Sequence, residues 1–111
     1  MEGIIHITTT SDSRDTLETI ARHLLEKRLA SCVQILGPLK SLYWWKGKIE
    51  ETEEWLGIIK TRKVLYGEVE GELRRLHHYE VPEIMAFEAE AVLPDYGRWV
   101  AEETLAPGGS S

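Results

Sequence analysis

Residues 39–61, LKSLYWWKGKIEETEEWLGIIKT, constrain the fold of this chain more than any other stretch. Aromatic and branched residues fill two runs, and Lys46-Gly47 between them suits a tight turn, so the stretch reads as one long β-hairpin. Each arm has room for about 11 residues, roughly 35 Å at ~3.3 Å per residue. A domain of this length has a radius of gyration of only about 13 Å. The hairpin must therefore overhang its own core. Tyr43, Trp44 and Trp45 sit near its tip and alternate across both faces. Exposed aromatics on a free strand edge invite association unless another subunit covers them. The expected state is an oligomer, built through strand addition and this hairpin.

The other elements follow from periodicity. IIHITTT, residues 4–10, is β-branched and reads as a strand. The following Ser-Asp-Ser offers helix caps, and Leu17, Ile20, Ala21, Leu24, Leu25 and Leu29 recur at helical spacing, which predicts an amphipathic helix over 13–28. SCVQIL is a second strand, ended or bent by Gly37-Pro38. After the hairpin, Leu65, Val69, Leu73 and Leu76 share one face of a second helix. EIMAFEAEAV is a fourth strand. Pro94 then suits the first turn of a last helix that buries Tyr96, Trp99 and Val100. The order β-α-β-β-α-β with an extra C-terminal helix is an α+β, ferredoxin-like pattern, with two helices over one face of an antiparallel sheet. One domain over 1–105 is expected, with 106–111, APGGSS, a tail made flexible by its composition.

Composition narrows the function. Hydrophobic residues make up 42% of 111, enough for one core. A net charge of −6 argues against a general nucleic-acid binder, which needs clustered Lys and Arg. No apolar run approaches the roughly 20 residues that span a membrane. MEGIIHITTT has neither the basic start nor the apolar length of a signal peptide, and a cytoplasmic protein is expected. The single cysteine, Cys32, sits among apolar neighbours and reads as a small buried residue.

The chemistry concentrates in LHHYEVPEI, residues 76–84. His77, His78, Glu80 and Glu83 are the ligand types that divalent transition metals take. Adjacent side chains diverge in a strand or helix, so His77 and His78 share one ion only in an unusual turn. The arrangement expected is His77 with Glu83 facing one cleft, completed by a neighbouring subunit or water. The structural alternative is that His77 satisfies a helix C-terminus. Pro82 reads as the switch from helix to strand. Tyr43, Trp44, Trp45, Lys60 and Tyr79 are candidates to line a cleft between subunits, where aromatic walls and a lysine suit a small anion. The competing reading makes the tryptophans interface packing. His6 and His23 read as structural or surface residues, and EETEE, residues 50–54, as a solvated acidic strand. No nucleophile with an identifiable base is present, so no reaction is expected.

LLEKRLASCVQI, SLYWWKGKIEETEEWLGIIKT, LHHYEVPEI and YGRWVAEE together resemble the CutA family, the divalent-cation tolerance proteins, over nearly the whole chain. The resemblance implies a ferredoxin-like fold, a tightly packed homotrimer, a bacterial cytoplasmic location, an association with copper and other divalent metals, and no catalysis. His77 matches the histidine of the family's His-Pro-Tyr, while His78 replaces the proline. Thr8 stands where some relatives carry a cysteine implicated in copper binding, so that soft ligand is missing. Three functions follow. The first is a trimer that binds divalent metal, copper in particular, and contributes to metal tolerance. The second, by fold-level analogy with the nitrogen-regulatory PII proteins, is a signalling module that binds an anion in the subunit cleft. The third is a structural scaffold.

Overall fold

The first strand, β1 (Ile4–Ser11), shows how alternation becomes burial: Ile5, Ile7, Thr9 and Ser11 face inward, while His6 between them is exposed. This is a computed structural model, and it describes residues 3–105. The expected tail at 106–111 lies outside the described residues. Ser13 caps the next element, its hydroxyl accepting from the Thr16 backbone N–H at 3.2 Å, and α1 runs Arg14–Glu26. Leu17, Ile20, Ala21 and Leu24 are buried as their spacing predicts. The helix stops short of residue 28. Arg28 takes a positive φ of 59° after it, and Leu29 is buried from the turn rather than from the helix. Leu25, expected on the core face, is 39% exposed.

The two strands of the hairpin are longer than their apolar runs suggest: β2 spans Cys32–Trp45 and β3 spans Lys48–Arg62. Gly37-Pro38 neither ends β2 nor separates SCVQIL from the hairpin. The pairing with β3 shifts register between Leu36 and Leu39 and then continues, a bulge that absorbs the proline's missing N–H. At the tip, Lys46 and Gly47 both have positive φ, 51° and 80°, which is the backbone of a two-residue hairpin turn. The molecule measures 44 × 29 × 21 Å with a radius of gyration of 14.6 Å, larger than the roughly 13 Å of a compact chain this long.

A single 3-10 turn (Lys63–Leu65) leads into α2 (Tyr66–Leu76). The last strand, β4 (Met85–Glu88), is much shorter than the ten apolar-rich residues expected, because only Thr8 through Ile5 of β1 pair with it. The last helix, α3, spans Pro94–Glu103. The sheet is antiparallel throughout, in the order β2-β3-β1-β4. One face packs against α1 and α2 through Ile7, Ile59, Ile20, Leu24, Val69 and Leu73. Between those helices, Glu72 accepts from His23 at 2.8 Å and from the Arg75 guanidinium at 3.0 Å, and these partners hold its carboxyl down to about 2. The opposite face, carrying Lys60 and Arg62, meets α3: Lys60 Nζ lies 6.0 Å from the Tyr96 ring, and Arg62 donates to Thr104 at 2.8 Å. Val100 is buried there, but Tyr96 and Trp99 are 36% and 41% exposed, contrary to expectation; Tyr96, one turn before Val100, lies at the edge of this contact beside Lys60.

Two glycines separate backbone need from mere tolerance. Gly37 has φ of +149°, and a Cβ there would lie 2.5 Å from Trp55 Cδ1. Gly71 lies inside α2 with nothing near its missing Cβ. Urea denaturation should show Gly37→Ala losing about 1–3 kcal/mol. Gly71→Ala should gain about 0.5–1 kcal/mol. Equal effects at the two positions would contradict the bulge geometry.

Candidate functional site

Three segments converge beside the hairpin. The end of β1 brings Thr10 and Asp12, the hairpin brings Tyr43 to Trp45 and Glu54, and the α2–β4 connector brings His78 to Glu83. They enclose a cavity of about 840 Å³. Volumes of this order suit a small molecule.

His77 is not on its wall. As the residue that ends α2, it gives its backbone N–H to the Leu73 carbonyl at 2.8 Å, but its side chain does not cap the helix. Its ring turns inward to 8% exposure and crosses to β1. Nε2 lies 2.7 Å from the Thr10 carbonyl, which can only accept, and Nδ1 accepts the Tyr79 backbone N–H at 3.1 Å. Both ring nitrogens are thus committed within the chain. The side chain that joins Glu83 at the cavity is its neighbour. His78 is exposed, with Nε2 2.8 Å from Asp12 Oδ1. The extended backbone at His77, with ψ of 140°, turns the two imidazoles to different tasks while their rings still stack 5.4 Å apart.

Tyr79 lies between them and the hairpin. Its hydroxyl donates to Glu54 Oε2 at 2.6 Å, and its ring meets His78 edge-on at 4.8 Å. Burial first, and then the neighbouring Glu54, push the phenol well above its ordinary value and keep that proton in place. Glu83 accepts from the Thr8 hydroxyl at 2.7 Å. Thr8 is therefore already committed to the same carboxylate.

Of the five expected cleft residues, Tyr43, Trp44, Trp45 and Tyr79 line the cavity. Lys60 does not: it pairs in register with Cys32 and His6 and packs toward Tyr96. Glu54 and Asp12 had not stood out. Glu54 hides in the acidic run EETEE, but it is 5% exposed and not solvated. The signal available was alternation, since Tyr43 pairs with Glu50, Ser41 with Thr52 and Leu39 with Glu54 along one side of the hairpin. Asp12 was legible only as part of a helix cap, a role that Ser13 fills. Among the described residues, no three His, Cys, Asp or Glu side chains stand close enough to hold a metal ion. Cys32 is free and lies on β2, away from this cavity.

The profile of the CutA1 divalent ion tolerance proteins matches residues 5–103. The chain belongs to this family. The divalent-cation tolerance protein CutA of Archaeoglobus fulgidus is 42% identical over 102 residues, covering 92% of this chain and 97% of its own. That of Thermotoga maritima is 44% identical over 86 residues, 78% of this chain and 84% of its own. The crystal structure of CutA1 from Pyrococcus horikoshii superposes with a TM-score of 0.87 at 35% identity, over 92% of this chain and 99% of that one. The solved Archaeoglobus fulgidus protein, described as periplasmic, gives 0.87 at 41% identity, over 90% of this chain and 97% of that one. Among the described residues of this CutA1 chain, no helix is long and apolar enough to cross a membrane.

Burial holds the His77 imidazole below its ordinary value, outweighing the Thr10 bond and the charges of Asp12 and Glu54, which act the other way. The unfolded chain therefore takes up this proton at higher pH than the folded one. The stability is fully present above the unfolded value of about 6.5 and is lost as pH falls below it. Urea denaturation at fixed protein concentration should show stability dropping from about pH 7.5 to about pH 5.5. His77→Gln should flatten part of that drop; an unchanged slope would contradict the buried neutral imidazole.

Proposed function

We propose that this CutA1 chain is a single 1–105 domain of ferredoxin-like topology that works as a homotrimer in the cytoplasm. It binds divalent metal, copper in particular, at the rim of the cavity and so contributes to metal tolerance without catalysing a reaction. The sheet order β2-β3-β1-β4 supports the topology. Exposed Leu36, Leu42, Trp44, Ile49, Phe87 and Leu93 support association, since a lone chain would leave them in water.

The observation that carries the metal reading is the His78–Asp12 pair, which lines the same cavity as Glu83. With Nε2–H donating to Asp12, Nδ1 of His78 is left with a free lone pair. A carboxylate behind a ligating imidazole fixes its tautomer and raises its basicity. Glu83 adds a carboxylate, and a neighbouring subunit or water completes the set. His77 serves as a support behind this rim. The anion-binding alternative depended on Lys60, which stands outside a cavity whose charged residues are acidic.

Calorimetric titration with copper(II) tests this. The wild type should saturate at a defined ratio per chain, and His78→Ala should weaken binding at least about tenfold. His77→Ala should keep the copper affinity while lowering stability. Loss of copper in the His77 variant, with the His78 variant unchanged, would reverse the assignment.

A further inference from the structure

The rim and the floor of the cavity differ. His78 and Asp12, at the rim, are exposed, with about half of each side chain open to water. Glu54 is 5% exposed, and among the described residues its side chain is bonded by the Tyr79 hydroxyl at Oε2. Among the described residues, no ion pair joins it to a Lys or Arg. A buried carboxylate without a cation is costly unless something compensates it. Every acidic or basic residue that lines the cavity, apart from His78, is acidic: Asp12, Glu54, Glu80 and Glu83. The remaining wall is aromatic, from Tyr43, Trp44, Trp45 and Tyr79. Trp45 already attracts a cation, since Lys46 Nζ, outside the cavity, lies 5.5 Å from its ring centroid.

Aromatic faces and carboxylates around one space recognise a particular chemistry. A ring quadrupole attracts an ammonium or guanidinium within about 6 Å. Carboxylates add charge-assisted hydrogen bonds to the same group. We infer that the cavity binds a small organic cation, a primary ammonium or guanidinium on a short apolar stem, with the charged head at Glu54 and the stem against Trp44 and Trp45. An inorganic divalent ion would gain little from the tryptophan walls, which set this floor site apart from the metal rim. The inference does not depend on metal binding.

The probes are butylammonium and butylguanidinium, with butyrate as the anionic control, added to the assembled full-length protein in the presence of EDTA. Binding is read by tryptophan fluorescence and by calorimetry. Saturable binding of at least one cation in the millimolar range or tighter is expected, with none of butyrate. Glu54→Gln, which keeps an oxygen to accept from Tyr79, should weaken the cation about tenfold, as expected for loss of a charge-assisted bond. Trp44→Leu should weaken binding several-fold while the mass of the assembled protein, checked by light scattering, stays that of the wild type. Absence of saturable binding would overturn the inference. Equal affinity for butyrate, or unchanged affinity in both variants, would overturn it as well. Chelation of metal by EDTA keeps a failed copper titration distinct from a failed cation titration.

Discussion

The ladder between β2 and β3 is the constraint on which the rest depends. It runs from the Cys32–Lys60 pair to the Trp45–Lys48 pair, interrupted only at Gly37-Pro38. Its inner half is an ordinary sheet interior, with Ile59 buried beneath α1 and α2. Its outer half has no helix beneath it. There Leu42, Trp44 and Ile49 are 63%, 72% and 64% exposed. A two-stranded ribbon alone in water is marginal at best. The same ribbon forms one wall of the cavity.

The site illustrates a division of labour between neighbouring residues. His77 ties the end of α2 to β1 through the Thr10 carbonyl and, through Nδ1, orients the backbone of Tyr79. That leaves His78 free to face outward toward Asp12, and it lets Tyr79 reach Glu54 on the hairpin. Helix, strand and hairpin are thereby joined through three consecutive side chains. A substitution at His77 acts on both stability and site geometry, while one at His78 acts on the rim alone.

Most of the architecture was legible because periodicity reports burial directly. The apolar faces of α1 and α2, the Lys46-Gly47 turn and the overhanging hairpin all follow from spacing and turn chemistry. What escaped was set by partners far away in the chain. The length of β4 depends on how much of β1 is available to pair. The exposure of Tyr96 and Trp99 depends on how closely α3 meets the sheet face that carries Lys60 and Arg62. The exchange of roles between His77 and His78 follows from one extended backbone angle after the helix, which a motif does not encode. Glu54 was masked by its acidic neighbours, and Lys60 by a composition argument that placed a lysine among aromatics without regard to register.

We propose that the outer hairpin is structured because other subunits cover it. Hydrogen exchange at backbone amides 39–53, with the protein at micromolar concentration, tests it most directly. Slow exchange there, matching that of the β1 and inner β3 amides, is the predicted result. Exchange at the rate of an unstructured chain, from a species whose mass is that of one subunit, would contradict it.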